Sequence, residues 1–105
     1  MARFSDPVHP EIAADLFGRR PGNYIIHFAD GSAYSGRQCR STNRIRAAIN
    51  RWNDVVAVQF MSDGADDECV RADREGSTIV ALLEAGIPLR NQVMASLPSS
   101  CSIRR

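Results

Sequence analysis

The apolar positions of the chain change period several times, and each change predicts an element. From Tyr24 to Ala29 the run Tyr-Ile-Ile-His-Phe-Ala has strand composition, Asp30-Gly31 supplies a turn, and Ser32 to Ser35 resumes a shorter strand. Together they predict a β-hairpin. Ile45, Ala48, Ile49 and Trp52 then recur at i, i+3, i+4 and i+7, the stripe of an amphipathic helix with Ser41 or Thr42 as its cap. Val55 to Phe60 is a nearly unbroken apolar run between Asn53-Asp54 and Ser62-Asp63-Gly64, which reads as a buried strand, central in a small sheet. A second long helix is expected over about residues 66–85, opening on Asp66, Asp67 and Glu68 and closing at Gly86 and Pro88. Its stripe of Cys69, Ala72, Ile79, Leu82 and Leu83 puts Glu75 in the middle, where an apolar residue would ordinarily sit.

The ends of the chain lack this regularity. Pro7, Pro10, Gly18 and Pro21 punctuate residues 1–21, a cover segment with room for one or two helical turns between Pro10 and Phe17. Residues 94–105 are serine-rich without a period and read as a polar tail. The order β-β-α-β-α predicts an α/β chain of the α+β type, a small, mainly antiparallel sheet with helices packed on it. At 105 residues, 44% of them hydrophobic, there is material for one domain with one core.

Charge narrows the chemistry more than composition does. The net charge is +1, yet all 13 basic residues are arginine, a side chain suited to bidentate phosphate contacts. Arg37, Arg40, Arg44, Arg46 and Arg51 form a basic block with no acid before Asn53, and phosphates are its natural target. Cys39, Cys69 and Cys101 are widely spaced and match neither a disulfide framework nor a zinc site, so a reduced, cytoplasmic setting is expected. No apolar run approaches the ~20 residues of a membrane span, so no membrane partner is expected.

Whether Tyr24 and Tyr34 share a face depends on the hairpin register. A two-residue turn would separate them. A three-residue loop Ala29-Asp30-Gly31, with Gly31 left-handed, pairs Tyr24 with Gly36 and puts both rings on one side; this is the expected loop. Glu75 reads as a ligand for a hard cation or as a carboxylate bonded to the backbone or to an arginine.

Together these positions resemble the GIY-YIG endonuclease superfamily. Gly22-Asn23-Tyr24 stands where its first triplet falls and Tyr34-Ser35-Gly36 where its second does. Arg44 takes the place of its helix arginine, Glu75 of its metal-binding glutamate, and Asn91 of its late asparagine. The resemblance implies a three-stranded antiparallel sheet flanked by helices in a nuclease domain over residues 22–93, and cleavage of phosphodiester bonds, in DNA, with one Mg²⁺ or Mn²⁺ ion. It implies that Tyr24 takes the proton of the attacking water and Tyr34 positions water or phosphate. Arg44 would contact the non-bridging oxygens, Glu75 hold the metal, and Asn91 orient the catalytic tyrosine or stiffen the pocket. A phenol with a pKa near ~10 needs positive charge nearby to act as a base.

The sequence departs from the pattern at Asn23 and Ser35, polar centres of the two triplets, and at Ala48, where many members carry a histidine or another polar residue. Two other readings stay open: a catalytically weak or inactive module that binds nucleic acid or a partner, and a nuclease acting on RNA. Target choice would fall to an attached or separate specificity domain. His27 has the opposite strand parity to Tyr24 and is expected on the far face; Trp52 is expected in the core.

Overall fold

The computed structural model describes residues 3–91. Its elements run α1 (Pro10–Leu16), β1 (Gly22–Phe28), β2 (Ala33–Gln38), α2 (Arg44–Arg51), β3 (Val55–Ser62) and α3 (Glu68–Glu84). The three strands form one antiparallel sheet in the order β2-β1-β3, a compact α+β fold.

β1 is the middle strand because both of its faces are covered, and all but one of its residues are buried. The expectation that residues 55–60 are central is corrected: β3 lies at one side of the sheet. The expected burial is also only partial, with Val58 and Phe60 buried and Val56 exposed, and the N-terminal chain supplies part of the cover. Val8 exchanges backbone hydrogen bonds with Val58, and Ser5 N–H donates to Phe60 O, so the N-terminal segment lies along the outer side of β3. That segment also feeds the core, with Ala13, Ala14 and Phe17 buried against Ile26, Val58 and Phe60.

The hairpin has the odd-length loop. Phe28 N–H donates to Ser32 O, Gly31 N–H to Phe28 O, and Gly31 sits at φ 86°. Tyr24 pairs with Gly36 and Ile26 with Tyr34, so Tyr24, Ile26, Phe28 and Tyr34 face one side. α1 and α2 cover that side. Asn23 and Ser35 point to the other, where α3 packs: Asn23 Nδ2 donates to Arg71 O and Ser35 Oγ to Glu75 O. His27 shares this second face and bonds Gln59.

The helices end where their capping chemistry dictates. α2 is capped by Asn43 rather than Ser41 or Thr42, because Asn43 Oδ1 accepts from Arg46 N–H while its Nδ2 reaches Ala14 O on α1. α3 begins at Asp67, whose carboxylate accepts from Cys69 and Val70 N–H, and stops at Gly86 with φ 82°. Its inward face carries Arg71, Ala72, Thr78 and Ile79, with Glu75 partly buried between them. Leu83, expected in the stripe, is exposed instead. Cys39 is a free thiol and Cys69 is disulfide-bonded, so the expectation of an unbridged set fails at Cys69. Among the described residues no helix is long and apolar enough to cross a membrane. Residues 92–105, with the polar tail, lie outside the described part.

Candidate functional site

The hairpin register builds the site from the sheet upward. The Tyr24 and Tyr34 rings are 6.4 Å apart, and the ring of Tyr24 lies over Gly36, its partner across the strands. A Cβ at position 36 would overlap Cζ and Oη of Tyr24. The second triplet therefore ends in glycine because the tyrosine of the first occupies the space above it.

α2 supplies the opposite wall. Its first residue is fixed by Gln38, which is buried: Oε1 accepts from Arg44 and Ile45 N–H, while Nε2 donates to Phe17 O and Arg20 O. Nothing in the periodicity singles out Gln38 beyond the strand parity it shares with Tyr34 and Gly36. Tyr24, Tyr34, Arg44, Ala48, Arg51 and Trp52 surround one cavity of about 120 Å³, with Ala47 beside them. Trp52, expected in the core, is only partly buried and forms part of this wall.

The remaining expected residues are placed elsewhere. Glu75 does not line the cavity. It belongs to the helix on the Ser35 face, and its Oε1 accepts from Arg37 Nη1; Arg37 Nε in turn donates to Glu68 Oε2 at 3.2 Å. Burial pushes the Glu75 carboxyl up, against the pull of Arg37. Its charge is nonetheless felt at Tyr24, and the charge of Arg44 is felt at Glu75. Asn91 bonds the backbone of Ser35 twice, accepting from its N–H at 2.8 Å and donating to its carbonyl at 2.6 Å. It thus braces β2 between Tyr34 and Gly36 without lining the cavity.

Electrostatics at Tyr24 run against the expected base. Its phenol is 3% exposed, and burial, with Tyr34 and then Glu75 adding to it, pushes the pKa above the usual tyrosine range; Arg44 and Arg37 pull the other way and are outweighed. The Glu75 carboxylate is engaged by the Arg37 guanidinium, which a divalent ion at that carboxylate would have to displace.

The basic block is also sorted by the fold. Arg37 pairs with Glu68 and Glu75, Arg40 with Asp66, and Arg46 with Asp15. Among the described residues Arg44 and Arg51 are in no ion pair, and both face the cavity. No protein-family model matches the chain, and neither the curated proteins nor the solved structures give a match.

Proposed function

We propose that the chain is a small endonuclease that hydrolyses phosphodiester bonds in DNA, resembling the GIY-YIG nucleases. The observation that carries the reading is the register Tyr24↔Gly36, which brings two phenols and the Arg44 guanidinium to one cavity. In this role Arg44 binds the non-bridging oxygens and gains strength as charge develops on the phosphate. Tyr34 positions the water or the phosphate. Tyr24 accepts the water's proton through the small fraction of its phenolate form, so the rate climbs about tenfold per pH unit into the alkaline range. The expected Mg²⁺ or Mn²⁺ requires Arg37 to leave Glu75.

The test is cleavage of supercoiled plasmid, and of a labelled single-stranded RNA, with Mg²⁺, with Mn²⁺ and with EDTA, beside Glu75→Ala and Arg44→Ala. Metal-dependent cutting of the plasmid, lost in both variants, is the expected result. Cutting of RNA alone would replace the substrate. A second reading, a binding module without catalysis, is favoured by the Arg37–Glu75 pair and by Ala48 in the cavity wall. Nucleic-acid binding with no cutting under any metal would select it.

A further inference from the structure

α2 presents two arginines to the cavity seven residues apart, about 10 Å along the helix axis. Ala47 and Ala48 lie between them and raise nothing above the helix surface. The Arg51 guanidinium sits over the Trp52 ring, 4.6 Å from its centroid. Trp52 is itself braced, with Phe28 edge-on at 5.1 Å and Tyr34 tilted against it at 5.2 Å. A guanidinium stacked on a ring keeps its in-plane N–H donors for another partner, and the stack lowers the entropy lost when that partner binds. The cleft, about 120 Å³ and open on one side, has room for a phosphate group beside the arginines.

We infer that Arg44 and Arg51, the latter seated on Trp52, form a two-point cradle for neighbouring phosphates of a single nucleic-acid strand. Arg44 takes the phosphate beside the tyrosines, and Arg51 takes the next one at the rim and sets the path of the strand along α2. The inference rests on the nucleic-acid reading above and names how that polymer is held. It also gives Ala48 a role, since a larger side chain there would stand between the two arginines.

Trp52 is the chain's single tryptophan, so its emission reports this site alone. The experiment titrates the full chain in EDTA with a short single-stranded DNA oligonucleotide, and separately with pyrophosphate, reading Trp52 fluorescence. Wild type is compared with Arg51→Gln, Arg51→Lys and Arg3→Gln, the last an exposed arginine away from the cavity. The oligonucleotide should shift the emission, Arg51→Gln should weaken binding about tenfold and lower the salt slope by about 0.7, and Arg3→Gln should do neither. Arg51→Lys should lose affinity too, since it keeps the charge without the planar stack, and it answers the question should the glutamine variant not fold. Equal affinity in wild type and both Arg51 variants overturns the cradle, as does an equal loss in Arg3→Gln, pyrophosphate binding as tight as the oligonucleotide, or no binding by the wild type. Cleavage is not read here. Failure to cut therefore sinks the endonuclease reading alone, and unchanged binding in the Arg51 variants sinks the cradle alone.

Discussion

At Gly36 the smallest side chain in the hairpin decides where the largest polar one lies. Gly36→Ala forces the Tyr24 ring out of its buried seat and should cost roughly 1–3 kcal/mol by urea unfolding. Gly76, within α3 and with open space around its missing Cβ, should behave oppositely: Gly76→Ala should stabilise by about 0.5–1 kcal/mol. The pKa of Tyr24 has a stability consequence with a definite sign. Its folded-state value lies above the unfolded one, so the native state holds the proton after the unfolded chain has released it. The contribution is complete below about pH 10 and is lost as pH rises beyond it. Tyrosinate absorbance should show one phenol titrating late, and Tyr24→Phe should flatten the alkaline fall in stability. At Glu75 the Arg37 charge lowers the carboxyl against burial, so Arg37→Gln should move its titration, followed by NMR, to higher pH.

Among the elements, the hairpin was the most legible in the sequence. Asp30-Gly31 marks the turn, and the three-residue loop Ala29-Asp30-Gly31 with its left-handed glycine sets the pairing of Tyr24, Gly36 and Tyr34 together. The place of β3 was not legible, because its run of valines and Phe60 has the composition of a central strand although only Val58 and Phe60 are buried. Ser5 and Val8 carry no strand signal, yet they line its outer side. Helix ends were legible to within a few residues. The choice of Asn43 over its neighbours follows from a second bond, to Ala14 O, which periodicity does not record. Asn43→Ala removes a cap and an α1–α2 tie at once and should cost about 1–2 kcal/mol in thermal or urea unfolding.

Across the whole molecule, the unbroken basic face suggested by residues 37–51 is not realised. The acids that pair with Arg37, Arg40 and Arg46 come from α1, the start and middle of α3 and the turn before it, and such distant partners leave no trace in local sequence. Of the expected site residues, the sequence therefore brought Tyr24, Tyr34 and Arg44 to one cavity, while the ion pairing around them and the separate places of Glu75 and Asn91 were not legible. If Arg44 and Arg51 alone meet phosphate, the logarithm of affinity for single-stranded DNA should fall with log salt at a slope of about −1.4, against about −3.5 for all five arginines. A titration across several salt concentrations separates the two.

The stretch that closes the described chain has a consequence of another kind. Ala33 N–H donates to Pro88 O, Arg90 N–H to Ala33 O, and Asn91 occupies both backbone groups of Ser35, so residues 88–91 shield the outer rim of β2. Arg90 fastens that stretch through Asp30, Asp54 and Ser32, with its guanidinium 3.5 Å from the centre of the Phe28 ring. Bare strand rims are templates on which other chains add, and here each outer strand is covered along part of its length by irregular backbone that offers no template of its own. Removing everything after residue 87 would leave the tyrosines in the chain and expose β2. Such a truncation should self-associate into β-rich aggregates, visible by light scattering, at concentrations where the full chain stays clear.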